Sequence, residues 1–306
     1  MSLEIPDMVP TFELEFQLAE EMFGAPLIDP DVYSESFHLL PKAEQERQVY
    51  KTAEYFAHVY GELEYSIIPA YGPGEYMSGV YKLFFKYLKE LTGETVMLGY
   101  HGDGTFAIPA GSDMYAFSYR IADDPDAVKA EAKAMALAAI ERNKRIQELG
   151  VECLFLCSDY CYNTGPFVSP PMFAEYIQPY LYMIIDAARK DGMYTIKHTD
   201  GNIMPILDMM VECRPNAIHS IDPMAGVDIK EVKRLVGDKV ALCGNVHCAA
   251  MQTGTDEDVL ESAEYAMTHG KPGGGYFFTT SNCPFNGMPP ERYRLVLDYY
   301  RKTRTY

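Results

Sequence analysis

Basic residues are scarce in this chain, where 26 lysines and arginines face 44 aspartates and glutamates, a net charge of −18 over 306 residues. So acidic a surface repels phosphate backbones and anionic lipids, which argues against nucleic acid or a membrane as a partner. No apolar run reaches the roughly 20 residues needed to cross a bilayer. The opening MSLEIPDMVP is acidic and lacks the basic-then-apolar start of a secretion signal. These absences together point to a cytoplasmic protein. Internal repeats, linkers and low-complexity stretches are also missing, so a single domain over residues 1–306 is expected. The cysteines are seven, an odd number: Cys153, Cys157, Cys161, Cys213, Cys243, Cys248 and Cys283. Without a secretion signal they read as reduced thiols or metal ligands rather than a disulfide framework.

What is present suits a large core, since 48% of the residues are hydrophobic. Short β-branched runs alternate with longer helical patterns, the mark of βα units on a parallel sheet. Eight strands are predicted, at 8–14, 64–71, 95–102, 152–159, 193–199, 217–222, 240–245 and 276–282. The Ala-rich stretch from Lys129 to the stop residue Gly150 reads as a helix. Ser169 before Pro170, and Thr255 before an acidic run, read as helix starts. Strict alternation over about 250 residues favours an α/β fold of the closed (β/α)8 TIM-barrel type. Residues 15–63 then hold an N-terminal helical extension or insertion.

In such a barrel, catalytic groups sit where strands end and βα loops begin. Applied to the predicted strands, that rule selects Glu13, Tyr71, His101, Asp103, Asp159, His198, Asp200, Asp222, Cys243, Asn245 and Cys283. A polar or metal-binding side chain at every strand end argues for an enzyme. In HTDGN, strand alternation sends His198 and Asp200 to one side, and Gly201 lets the chain turn. The plainer alternative is a helix-capping Asp200 with His198 bonded to backbone. Cys243 and Cys283 are expected to end two adjacent strands, so that both thiolates, with His198 or Asp200, could hold Zn²⁺ with one position left open. Against this, free cysteines are often simply small buried residues. Asp159 opens a loop carrying Tyr160, Tyr162 and Phe167, which could form a flat slot for a ring or a corrin face, or could pack on the barrel rim. Cys153, Cys157 and Cys161 fall across a strand and read mostly as core, with Cys161 nearest the site. PGGGY at 272–276 precedes a strand and so lies on the face away from catalysis. YGPGEY at 71–76 lacks the Lys and Ser/Thr of a P-loop and reads as a shaped turn.

From about residue 150 onward, the succession GPFVSPPMFAEYIQPY, IKHTDGNIMPILDMM, IDPMAGVDIKEVKRLVGDKVALCGNV, QTGTDEDV and GGGYFFTTSNCPFNGMPPERY resembles the uroporphyrinogen decarboxylase superfamily. The resemblance implies a (β/α)8 barrel and either a porphyrinogen decarboxylase or a corrinoid-dependent, usually zinc-dependent, methyltransferase. The decarboxylases resemble one another in an arginine-rich N-terminal segment, whereas the first arginine here is Arg47. Methyltransferases acting on coenzyme M carry a His-x-Cys pair and a distant Cys as zinc ligands. This chain matches at His198 and Cys283 and departs at Asp200, with Cys243 as a second candidate thiolate. The resemblance thus favours a Zn²⁺-dependent methyltransferase that works with the corrinoid (cobalamin) of a partner protein and a small methyl donor or acceptor. By likeness to aromatic O-demethylases, that small molecule is expected to be a methoxylated aromatic. Asp159, His198 and Asp200 are the expected catalytic residues; His198, Asp200, Cys243 and Cys283 are the expected metal ligands. Tyr71, His101, Asp103, Tyr160, Tyr162, Phe167, Asp222 and Asn245 are expected to contact substrate. The alternatives are a coenzyme M-type methyltransferase, a metal-independent lyase using Asp103 or Asp159 on pyrrole N–H groups, and a non-catalytic tetrapyrrole binder. A homodimer is compatible with any of them.

Overall fold

The computed structural model describes Met1 and residues 3–306. Seven short strands, β1 (Ile67–Pro69), β2 (Met97–His101), β3 (Cys153–Leu156), β6 (Tyr194–His198), β7 (Ala217–His219), β8 (Ala241–Val246) and β9 (Tyr276–Thr280), form one curled sheet in that order. All its neighbours are parallel. The small antiparallel hairpin β4 (Cys161–Tyr162) and β5 (Gly165–Pro166) sits in the loop after β3. The result is a TIM-like α/β fold. Helices occupy the connections, as parallel pairing requires: α3 (Gly79–Thr92), α5 (Pro125–Gln147), α7 (Gln178–Lys190), α9 (Ile229–Val236) and α11 (Asp256–Gly270) are the main ones.

Seven of the eight predicted strands are present, all but β8 shorter than the sequence run, and β8 shifted by one residue. The exception is 8–14. There Thr11 makes a single parallel bridge to Phe278, Phe278 N donates to Pro10 O at 3.0 Å, and Ser66 N donates to Thr11 O at 2.8 Å. The segment thus bonds to both edge strands, β9 and β1, without becoming a strand. Pro10 offers no N–H to a ladder, which limits the pairing. Residues 15–63 hold α1 (Ala19–Phe23), a short 3-10 turn (Glu35–Leu39) and α2 (Lys42–Glu62), the expected helical extension.

The helix signals resolve into local bonds. Ser169 Oγ accepts from Met172 N at the start of the helix Pro170–Tyr176, and Thr255 with Asp258 forms a reciprocal capping box at α11. The run Gly273–Gly275 lies at the N-terminal end of β9, all at positive φ, and a Cβ on Gly274 would stand 2.5 Å from Glu4 O. These glycines therefore admit the N-terminal chain on the face away from the site.

His198, His219, Cys243 and Phe277 are successive Cα partners across β6 to β9, so their side chains share one side of the sheet. Phe12 packs against Phe155, His219 and Phe277, which marks that side as the interior. The site is built on this interior wall, one step above its apolar filling.

Candidate functional site

β6 ends on His198, and the chain then turns so that Asp200 comes back beside it. His198 Nε2 lies 3.6 Å from Asp159 Oδ1 and 3.8 Å from Asp200 Oδ1. Among the described residues, these three form the group whose ligand atoms all fall within 4.8 Å of one another. Asp200 N also donates to Asp159 Oδ1 at 3.2 Å, which ties the loop after β3 to the loop after β6. The turn itself needs glycine. Gly201 has φ +82°, and a Cβ there would lie 2.4 Å from Cys161 O. Its N–H donates to Asp222 Oδ2 at 3.1 Å.

Burial sets the protonation states. The His198 imidazole is pushed down to about 3, by burial first and then by the nearby Lys197 and His101 side chains, so the ring is neutral. Asp200 is pushed up to about 6, by burial and then by the neighbouring Asp159 carboxylate. Its hydrogen bonds agree with that direction. Ser220 Oγ is 2.7 Å from Ser281 O and 2.9 Å from Asp200 Oδ1. A carbonyl only accepts and a hydroxyl has one proton, so both contacts are satisfied together when Asp200 carries a proton of its own. Asn282 Nδ2 donates to Asp200 Oδ2 at 2.6 Å. Ser220 and the following Ile221 both adopt positive φ (+88° and +50°), a strained path for non-glycine residues that brings the Ser220 hydroxyl to Asp200.

The other expected residues divide. Tyr71 OH donates to Leu14 O at 3.1 Å and contacts His101 Nε2 at 2.9 Å, and the two rings stack. Because the Tyr71 proton goes to the carbonyl, His101 Nε2 is the donor in that pair. Glu15 Oε1 stands 3.5 Å from the same nitrogen. These side chains line a cavity of about 360 Å³ with Phe16, Leu27 and Ile28. Gln17 N donates to Pro284 O at 2.9 Å, so the cavity wall adjoins the 282–284 segment that holds Asp200.

Asp103 and Tyr160, expected at the substrate, lie instead in a structural network. Asp103 accepts from Gly104 N, Thr105 N, Thr105 Oγ1, Ser158 N and Lys197 Nζ. Tyr160 is wholly buried, with its OH 2.6 Å from Thr105 Oγ1 and its ring under Lys197 Nζ. Asp222 supports the Gly201 turn and caps the turn at Pro223. Asn245 Nδ2 donates to Ile221 O, and its side chain lines a separate cavity of about 690 Å³ with Asp228 and Tyr265. Tyr162 is exposed on the hairpin, and Phe167 packs against Phe117.

The two thiols do not meet at one height. Cys243 is the register partner of Phe277, six positions before Cys283, or roughly 20 Å of extended chain. Cys243 lies fully buried inside the wall, three residues before β8 ends, and burial pushes its thiol far up. Cys283 follows Asn282, beyond the end of β9, and is also buried. Neither belongs to a group of three ligand-bearing side chains among the described residues. Sequence reasoning missed His219, Ser220 and Asn282, which hold the cluster. The only signal was a polar residue at the end of an apolar run, as in AIHS and TTSN.

A curled, TIM-like parallel sheet carries a carboxylate–imidazole cluster at the C-terminal ends of β3 and β6, where proteins of this α/β class place their active sites. The sequence profile of uroporphyrinogen decarboxylase (URO-D) matches residues 105–303, well over half of the chain, and the protein belongs to that family. No curated protein sequence matches it. Among solved structures it is similar to a methyltransferase from Methanosarcina mazei at 15% identity, over 98% of this chain and 96% of that one, with a TM-score of 0.72. A sugar phosphate isomerase/epimerase from Parabacteroides distasonis aligns over 97% of both chains at 10% identity with a TM-score of 0.49. The likeness to the Methanosarcina protein is one of fold.

Proposed function

We propose that this chain is a zinc-dependent methyltransferase that moves a methyl group between a small molecule and the cobalt of a corrinoid carried by a partner protein. The observation that carries the reading is the Asp159–His198–Asp200 cluster, within a URO-D-family chain whose fold is similar from end to end to that of a methyltransferase. In this reading residues 8–14 complete a closed eight-position barrel. The donor set fits a catalytic zinc: a neutral imidazole and two carboxylates supply three protein ligands and leave a position open. Cys283, next to the Asn282 that holds Asp200, is the candidate additional thiolate. Bound there, zinc would act as a Lewis acid on the oxygen or sulfur that gives up or receives the methyl group.

The protein's own groups would do the rest. Neutral His198 presents Nε2 to the open side, Asn282 and Ser220 orient Asp200, and Asp159 anchors the turn through Asp200 N. The apolar cavity beside His101 would hold the small molecule, and a methoxylated aromatic fits its lining. The lyase alternative has less support, because every oxygen of Asp103 already accepts from protein donors and Lys197 is paired with it. The test is methyl transfer itself. Zinc-loaded protein with cob(I)alamin and a methoxylated aromatic should form methylcobalamin, seen by its absorption spectrum. Consumption of methylcobalamin by coenzyme M would favour the thiol-methylating alternative, and no methyl transfer in either direction would reject the reading.

A further inference from the structure

His219 lies on β7 directly beside His198, fully buried, with its ring centroid 5.0 Å from the His198 ring. The two Nδ1 atoms are 2.8 Å apart. The other nitrogen, His219 Nε2, is buried and makes no hydrogen bond of good geometry among the described residues; the ring meets the Thr280 backbone and packs on Phe12. We propose that His219 is a positioning residue for His198, fixing both the plane of that ring and which nitrogen faces Asp159 and Asp200. The proposal rests on the reading that the cluster holds a metal.

The geometry constrains the protons. An Nδ1···Nδ1 contact at 2.8 Å is a hydrogen bond only if one ring donates and the other accepts. Neutral imidazole carries one N–H, so the two rings must hold opposite tautomers. In the first arrangement, His219 Nδ1–H donates to His198 Nδ1, His198 carries its proton on Nε2 towards the carboxylates, and the buried His219 Nε2 is a bare lone pair. In the second, His198 Nδ1–H donates to His219 Nδ1, His198 Nε2 is a free lone pair, and His219 carries its proton on the buried Nε2, which has no hydrogen-bond partner of good geometry among the described residues. A cation at the cluster requires the second arrangement, because only a lone pair on His198 Nε2 can bind it. Each ring keeps one proton in both arrangements, so the passage between them is proton-neutral overall. The first arrangement buries an unpaired acceptor and the second an unpaired donor; the metal-free protein is expected to rest in the first, because its His198 Nε2–H faces the Asp159 and Asp200 oxygens.

This makes His219 more than packing. As an acceptor it orients the His198 ring, as carboxylates and carbonyls do for metal-bound histidines. Its second nitrogen adds a feature those groups lack, a cost on the metal-ready tautomer. Asparagine at this position offers an oxygen near the place of Nδ1 and has no second buried nitrogen. His219→Asn should therefore preserve the orientation and bind metal at least as tightly as the native chain.

The test is made on the full chain labelled with ¹⁵N-histidine. Long-range ¹H–¹⁵N correlation of metal-free protein should show one Nδ1–H ring and one Nε2–H ring for this pair, and saturating Zn²⁺ should exchange them. In chelator competition, His219→Leu should weaken zinc binding about 10- to 100-fold, while His219→Asn should restore or exceed the native affinity. Like tautomers on the two rings would overturn the proposal, as would native zinc affinity in His219→Leu. If that variant does not fold, a His219→Asn protein binding zinc 10-fold or more weakly than the native chain overturns it equally. Failure of the native chain to bind zinc, with opposed tautomers still seen, would instead reject the metal reading and leave the ring coupling standing.

Discussion

Lys197 Nζ lies 2.9 Å from Asp103 Oδ2, joining the end of β6 to the loop after β2 across 94 positions of sequence. The lysine is completely buried and also donates to Leu156 O and Ser158 O. It serves as an internal clamp beneath the loop that carries Asp159.

Removing the clamp's acid should be costly. Asp103→Ala leaves a buried ammonium without its counter-charge, a loss of about 3–5 kcal/mol. Urea unfolding of the two proteins at neutral pH measures it. Burial alone would raise the Asp103 carboxyl, but Lys197 and the surrounding donors outweigh it and hold the group down at about 2. A carboxyl lowered on folding stabilises above its unfolded value and loses that contribution as pH falls to the folded value. The native chain should therefore lose this share of its stability between about pH 4 and pH 2, and Asp103→Asn should show a flatter profile there.

Glu13 has the opposite sign. It is buried, accepts from Thr280 N and Thr280 Oγ1, and burial raises it to about 8 against the weaker lowering effect of those bonds. The folded chain thus holds a proton that the unfolded chain gives up near pH 4.5, so stability falls as pH rises through that window up to about 8. The slope contributed is about 1.4 kcal/mol per pH unit. Glu13→Gln mimics the protonated acid and should be the more stable protein at pH 8, with the two converging near pH 4. A variant less stable than the native chain at pH 8 would contradict this.

Gly201 tests the local geometry of the cluster. Alanine there would place its Cβ against the Cys161 carbonyl at a positive φ. The strain should cost at least about 1–3 kcal/mol, measured by thermal unfolding. Zinc affinity should fall as well, because the same turn presents Asp200.

The two cysteines should separate in mutagenesis. Cys283→Ala is expected to weaken zinc binding at least 10-fold, the scale of a perturbed metal shell. Cys243→Ala, a fully buried register partner of His219 outside the carboxylate–imidazole cluster, should leave zinc affinity unchanged and alter only stability. Equal loss in both variants would restore Cys243 as a ligand.

The fold was largely legible because seven strands are β-branched runs bounded by helix signals, and period and punctuation are local. The 8–14 segment misled because its apolar content resembles a strand, while Pro10, with no N–H for a ladder, leaves it only isolated bridges between β9 and β1. His198, Asp200 and Asp159 were legible as polar residues at strand ends. Cys243 was misplaced because the strand end was taken at Asn245 without the register, and the register is a long-range property that pairs Cys243 with Phe277. Asp103 passed the same strand-end rule as Asp159, but the partner that occupies it, Lys197, lies on the opposite side of its strand from His198, which sequence spacing alone does not reveal.

Whether the Asp159–His198–Asp200 cluster holds zinc is decided by zinc uptake by metal-free protein, titrated against a chromophoric chelator, for the native chain and for His198→Ala and Asp200→Ala. One zinc per native chain and at least a 10-fold loss of affinity in each variant are expected. A native chain that takes up no zinc, or variants that hold it as tightly as the native chain, would contradict the zinc reading.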